Sequence, residues 1–482
     1  MLAALLILLP SFARAQESCA PLRKVNSVRM LPTVSGDADM VPVTIAGQVH
    51  NFLLDTGGFY SQLSRPLAET LHLNILPSEQ QLFDAIGNIS SNQARLPDYT
   101  LGAVSEKDAV FMISASLDGR RNTQGVEGIL TLDRLAKNDL EFDFGSDMLN
   151  LFAPDHCAGK EVYWPTPATA VIDIRLQRTP IPADRRAPDL RGLSVYVPVM
   201  LEGHEVRALL DTGATNSALR QDLAQTMFGL TLGTPDTPSA GALNGDTSLK
   251  TYNHQFKSLR FGDVALSNIR LSIIPDAMAR NVPPTPSVFS RTRTERDLIA
   301  EPEMILGMDV LRRLHLFIAF GERKLYVTPS TAPVHDGDEP YPETFITGMI
   351  ARLDTILAAA PDNAEALNDR CFWRAISKTG LDAALADCDK SLALKPGEPQ
   401  ALDSRGFVLF QQGRYSEALA AYNVALNADP GQMPSLWMRG LSKGKLGDKT
   451  GEISDLASAK ARDPNIEVEF KKIGITTPNP SP

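Results

Sequence analysis

Past residue 15, the 482-residue chain holds no run near the roughly 20 apolar residues a bilayer crossing requires, so no membrane span is expected after it. Concentrated positive charge is also missing. Against 57 Asp and Glu stand 47 Lys and Arg, a formal net charge of −10, which argues against a nucleic-acid partner because phosphate binding needs a dense basic surface. Seven histidines are scattered, with no His-Glu-x-x-His and no Cys/His set at metal-ligand spacing, so no metal or cofactor is implied. There is no Gly-x-Ser-x-Gly elbow and no phosphate-cradling Gly-x-x-x-x-Gly-Lys-[Ser/Thr]. Cysteines number four. Cys19 and Cys157 flank the first β unit and could clasp it. Cys371 and Cys388 fall on facing helices, where a bridge and a pair of buried thiols are equally open.

What is present begins with a Leu/Ile/Ala stretch over residues 1–9, broken by Pro10 and followed by Ala13-Arg14-Ala15, a small-x-small cleavage pattern. Residues 1–15 read as an export signal, giving an exported protein, periplasmic or secreted. The length then suggests about three domains of 100–200 residues.

The chain repeats itself. Val41-Pro42-Val43, Gly47 and Leu53-Leu54-Asp55-Thr56-Gly57 return as Val197-Pro198-Val199, Gly203 and Leu209-Leu210-Asp211-Thr212-Gly213, at a constant offset of 156 (211 − 55). Ile129-Leu130-Thr131-Leu132-Asp133-Arg134-Leu135 returns as Ile305-Leu306-Gly307-Met308-Asp309-Val310-Leu311 at an offset of 176 (305 − 129). The second unit is thus 20 residues longer (176 − 156), and the Pro/Arg/Thr-rich residues 281–296 are the expected surface loop. In each unit an alternating apolar segment, a turn (Ala46-Gly47, Glu202-Gly203) and a second apolar run predict a β-hairpin ending on Asp-Thr-Gly. The expected units span 36–158 and 191–330, joined by a Pro/Arg-rich linker, 159–190, around a strand at 171–176.

A second repeat fills residues 344–467. Pro396, Pro430 and Pro464 are 34 apart, with Gly406 and Gly440, and Ala384 and Ala418, at matching positions between them. This resembles the tetratricopeptide repeat, two antiparallel helices per unit. About three units follow a lead-in helix near 344–360. Glu452 replaces the small alanine of the third, which fits a capping unit. Trp373 and Trp437 read as core rather than as a ligand platform.

One Asp-Thr-Gly arises by chance in roughly one chain in ten of this length. Two in register, each with an Ile-Leu segment following, are a different matter. Across about 36–330 the sequence resembles aspartic peptidases of the pepsin and retropepsin type. The resemblance implies a multidomain chain: an all-β acid-protease fold in two pseudo-symmetric halves, then an all-α repeat domain. It implies Asp55 and Asp211 as a catalytic pair, Thr56, Gly57, Thr212 and Gly213 as loop support with the threonines bonding across, and Ile129, Leu130, Ile305, Leu306 and Gly307 as the cradle beneath. Hairpin flaps would fall at 83–90 (Ile86, Gly87, Asn88) and 239–246 (Asn244, Gly245), where ordinary surface hairpins are the alternative. The first half departs from the pattern at Gly58 and at Thr131, which stands where the cradle usually ends in Gly. Two carboxylates held about 3 Å apart cannot both ionise, so one proton is shared and water is activated between them. The expected function is endopeptidase action on a polypeptide bound as an extended strand, with the helical repeats recruiting substrate or a protein partner. The alternative is a peptide-binding module that does not cut. Because the linker is short, the halves should pair within one chain, giving a monomer rather than a dimer of like halves.

Overall fold

The computed structural model describes residues 20–33, 38–83, 89–114, 117, 126–159, 163–164, 169–178, 192–242, 249–276, 302–331, 340–341, 343–359, 361–463 and 466–477. The expected signal peptide, Cys19, the 281–296 loop and the flap residues Ile86, Gly87, Asn88, Asn244 and Gly245 lie outside the described residues.

The first half contains strands β1 (Lys24–Arg29), β2 (Leu31–Pro32), β3 (Asp39–Ile45), β4 (Gln48–Asp55) and β5 (Gln62–Leu63), helix α1 (Arg65–Thr70), strands β6 (Ile75–Phe83), β7 (Ile89–Leu101), β8 (Val104–Ile113) and β9 (Gly128–Thr131), helix α2 (Leu132–Leu135), and strands β10 (Asp139–Asp143) and β11 (Met148–Phe152). Residues 159–190 do more than link. They carry two strands, β12 (Ala170–Asp173) and β13 (Arg175–Arg178), parted at Ile174 and paired into different sheets. The second half repeats the plan with β14 (Leu193–Leu201), β15 (His204–Leu210), β16 (Ala218–Arg220), α3 (Gln221–Thr226), β17 (Ser239–Ala242), β18 (Lys250–Phe261), β19 (Val264–Ile274), β20 (Met304–Leu306), α4 (Met308–Leu311), β21 (Leu314–Ala319) and β22 (Lys324–Pro329).

Among the described residues the strands form three sheets. Two are eight-stranded with matching order, β2-β3-β4-β9-β5-β8-β7-β6 and β13-β14-β15-β20-β16-β19-β18-β17. The third, β1-β11-β10-β21-β22-β12, draws strands from both halves. Its central seam is antiparallel, with Leu140 opposite Ile318 and Asp143 opposite His315. Buried Glu141 of the first half accepts hydrogen bonds there from Nε2 of His315, 2.8 Å, Nδ2 of Asn150, 2.8 Å, and the hydroxyl of Tyr163, 2.7 Å. One apolar core runs through both halves, from Val41, Phe52 and Leu130 to Val197, Leu210 and Leu306. The halves are therefore one folded body.

The hairpin turns obey simple backbone rules. Ala46 and Gly47 have φ of 49° and 78°, Glu202 and Gly203 of 45° and 87°, so both turn residues are left-handed, as the right-handed twist of a two-residue hairpin demands. That fixes the register in which each second strand ends on its aspartate.

The C-terminal third is helical: α5 (Glu343–Ala359), α6 (Ala364–Ser377), α7 (Leu381–Leu394), α8 (Pro399–Gln411), α9 (Tyr415–Ala428), α10 (Met433–Lys445), α11 (Lys449–Arg462) and α12 (Ile466–Lys472). The pairs α6/α7, α8/α9 and α10/α11 are the three repeats, with a core of their own. A disulfide joins Cys371 on α6 to Cys388 on α7, which decides between bridge and free thiols. Cys157 is also disulfide-bonded. In the third repeat, Gly444 on α10 makes room for the buried Glu452, since any side chain there would overlap its carboxyl, and Nζ of Lys449 pairs with Glu452 at 2.8 Å.

Candidate active site

Each Asp-Thr-Gly begins where a hairpin strand ends over a parallel partner. In the first half β4 lies along β9, with Leu53 opposite Ile129, Leu54 opposite Leu130 and Asp55 opposite Thr131. In the second, β15 lies along β20, with Leu209 opposite Ile305 and Leu210 opposite Leu306. The N–H of Asp211 donates to the carbonyl of Leu306 at 3.0 Å. These pairings put each loop directly above its cradle segment.

The loops then turn sharply and aim backbone donors at their own carboxylates. Oδ1 of Asp55 accepts from the N–H of Gly57 at 3.0 Å and of Gly58 at 2.6 Å. Oδ1 of Asp211 accepts from Gly213 at 2.9 Å and Ala214 at 3.1 Å. The two loops face each other closely enough that glycine is obligatory at their tips. A methyl on Gly213 would sit 2.6 Å from Cγ of Asp55, and one on Gly57 would overlap the Asp211 carboxyl.

Buried Thr56 and Thr212 lock the loops together with four reciprocal bonds. The hydroxyl of Thr56 donates to the carbonyl of Leu210 at 2.7 Å and accepts from the N–H of Thr212 at 3.0 Å. The hydroxyl of Thr212 donates to the carbonyl of Leu54 at 3.0 Å and accepts from the N–H of Thr56 at 3.1 Å. With donor and acceptor capacity both used, neither hydroxyl is left unsatisfied in the interior.

The Asp55 and Asp211 carboxyl groups face each other across the two loops, each against the glycine of the other loop. Burial raises Asp55 against the pull of the Gly58 N–H, the Asp211 carboxyl and the Gly57 N–H. Burial and then the charge of Asp55 push Asp211 up to about 8. One proton is thus held between two carboxylates that would repel if both were ionised. Such a pair can remove a proton from water with one member while the other donates to a carbonyl.

Four further residues brace the loops, and reading the motifs alone had passed them over. The Ser61 hydroxyl donates to Oδ1 of Asp133 at 2.5 Å and accepts from the N–H of Thr131 at 3.0 Å. The Ser217 hydroxyl donates to Oδ1 of Asp309 at 2.6 Å and accepts from the N–H of Gly307 at 2.9 Å. The signal was present in the internal repeat: each serine stands six residues after its aspartate, at the same offset of 156 (217 − 61).

Thr131 fits because the loop residue against it, Gly58, has no side chain. In the second half Gly307 lies against the loop, where a methyl would meet the backbone carbon of Asn216 at 2.6 Å, and Ala214 carries the side chain. In the first half the glycine is on the loop. A methyl on Gly58 would meet Cγ2 of Thr131 at 3.1 Å and Oδ2 of Asp55 at 2.5 Å. The Thr131 hydroxyl donates to Oδ1 of Asp133 at 2.8 Å, so it joins the brace.

The candidate flaps sit on the outermost hairpins, β6/β7, where Phe83 pairs with Ile89, and β17/β18, where Ala242 pairs with Lys250.

A family model described as aspartyl protease matches this geometry over residues 41–133 and again over 197–310. Both halves of the β body thus match the aspartyl protease family model. A tetratricopeptide-repeat model matches residues 399–432 within the helical part. Solved structures titled "MamA MSR-1 C2" and "Crystal structure of MamA protein" are similar in part, at 21% and 18% identity. They match over 25% of this chain in each case and over 70% and 65% of theirs, with TM-scores of 0.22 for both. No curated protein matches the chain. The aspartyl protease match covers both Asp-Thr-Gly loops, both cradle segments and both serine–aspartate braces.

Proposed function

We propose that the chain is an aspartic endopeptidase. Asp55 and Asp211 activate a water for attack on a peptide carbonyl, and the helical repeats engage a protein substrate or partner. The observation that carries the reading is the pair of buried carboxyls set against each other by loops that the threonines lock face to face. In this scheme the ionised carboxylate takes a proton from water, the protonated one donates to the carbonyl oxygen, and the tetrahedral species collapses as the amine leaves with a proton. No covalent enzyme intermediate is required. The complete Thr131–Asp133–Ser61 brace favours catalysis over the binding-only alternative, because the departures from the family pattern at Gly58 and Thr131 leave the first loop supported. Asp55→Asn and Asp211→Asn should each abolish hydrolysis of an unstructured protein substrate while leaving the melting transition in place. Turnover surviving in either folded variant would sink the proposal.

We also propose that the protein resides in an oxidising compartment outside the cytoplasm. It is supported by the Cys371–Cys388 bridge and by bonded Cys157, since such bonds persist where thiols are not kept reduced. Protein denatured directly from cells in the presence of a thiol-reactive label should take up none at Cys371 or Cys388. Full labelling of both would place it in a reducing compartment instead.

A further inference from the structure

The inner face of the helical repeats is already occupied, and the occupant is the chain's own C-terminal end. Asp369, Asp403 and Trp437 stand at the same position of three successive repeats, 34 residues apart, on α6, α8 and α10. Phe470 of α12 stacks on Trp437, with ring centres 6.1 Å apart and planes 17° from parallel. At the last residue of α12, the carbonyl of Lys472 accepts from the N–H of Tyr341 at 2.9 Å, and the Tyr341 ring lies edge-on to Trp373, one turn past Asp369 on α6. Residues 466–477 therefore run from the third repeat back to the first, with Ile466, Phe470 and Ile475 buried in the repeat core.

The segment fills this face without satisfying it. Of the charged groups of α12, Glu467 pairs with Lys460 on the outer helix α11 and Nζ of Lys472 with Glu469. Among the described residues no cation pairs with Asp369 or Asp403. Their hydrogen-bond partners among the described residues are Asn368, whose Nδ2 is a distant 3.4 Å from Asp369, and the hydroxyl of Ser435, which donates to Asp403 at 2.5 Å. Indole Nε1 of Trp437, 1% exposed, Nε2 of Gln411 and Oδ1 of Asn368 are buried without partners. A carboxyl removed from water without a counter-charge is costly, and burial raises both of these aspartates, to about 7 for Asp369 and about 6 for Asp403.

We propose that residues 466–477 are a resident, exchangeable ligand of the inner face. The partner that replaces them is a polypeptide segment presenting an aromatic side chain to Trp437 and a lysine or arginine to Asp369 or Asp403. This deepens the reading of the repeats as a protein-interaction surface and is independent of cleavage by the dyad.

The test uses the full chain in the Asp211→Asn background, so that no peptide is cut. A labelled peptide of residues 464–482 should bind a Phe470→Ala chain at least tenfold more tightly than the chain with Phe470 intact. Of five such peptides, each carrying one lysine at positions 473 to 477, at least one should bind the intact chain tenfold more tightly than the unmodified peptide. That gain should vanish with Asp369→Asn and Asp403→Asn together. Equal binding to both chains, or five peptides no better than the first, would overturn the proposal. Should Phe470→Ala not fold, amide exchange on the intact chain decides. An exchangeable ligand has α12 amides exchanging at least a hundredfold faster than those of α10, whereas a fixed cap has both exchanging at one rate. Failure here leaves the cleavage assay untouched.

Discussion

Asp211 is a carboxyl that holds its proton into the neutral range because burial and the Asp55 charge disfavour a second ionisation. The active form on this account is singly protonated. Activity should fall as pH rises through about 8, where Asp211 loses the shared proton and nothing remains to donate to the carbonyl. The stability consequence has the same sign. A carboxyl whose folded pKa is raised gives its full contribution below the unfolded value of 3.8, and that contribution is lost as pH climbs through about 8. The melting temperature of the β body should therefore decline across that window, and less so for Asp211→Asn. Equal slopes in the two proteins would contradict the assignment. The threonines act at the same scale. Thr56→Ala or Thr212→Ala removes a hydroxyl that both donates and accepts in the interior, at a cost of about 1–3 kcal/mol in unfolding free energy. Each should also lower kcat, with Thr→Ser restoring most of both losses. An alanine variant with unchanged denaturation midpoint and kcat would show that the loops need no such lock.

At the level of elements, the two loop-and-cradle assemblies pack differently: Gly58 leaves room for Thr131, whereas Gly307 lies against the backbone of Ala214 and Asn216. Gly58→Ala alone should be destabilising and impair catalysis, because the new methyl meets both Thr131 and the Asp55 carboxyl. Adding Thr131→Gly should recover part of the loss, with a coupling of about 0.5–3 kcal/mol in a double-mutant cycle. Strictly additive losses would mean that the two positions do not share the space. This is also where the sequence was least legible. The paired Asp-Thr-Gly loops, their hairpins and the 34-residue helical period could be read directly, because hydrophobic alternation, two-residue turns and proline spacing are local signals. The accommodation of Thr131 could not, since it depends on which of two residues 73 apart (131 − 58) lacks a side chain. The braces from Ser61 to Asp133 and from Ser217 to Asp309 join positions 72 and 92 residues apart for the same reason. The division of 159–190 into two strands was hidden too, because β12 and β13 each pair with a strand 15 or more residues further on. Such short strands carry little pattern of their own.

On the scale of the whole molecule, the site exists only because one chain brings two copies of a unit together. The six-stranded sheet interleaves strands of both halves, and Glu141 of one accepts from His315 of the other, so the halves are held from below as well as through the threonines. Neither loop can make a dyad alone, and the account stands or falls on both carboxyls acting as one group. The most direct measurement is hydrolysis of an unstructured protein from pH 3 to 9 by the parent chain and by folded Asp211→Asn, side by side. The account predicts cleavage by the parent that fades as pH passes about 8, and none by the variant at any pH. Cleavage by the variant, or a parent that binds peptides but never cuts them across that range, would contradict it.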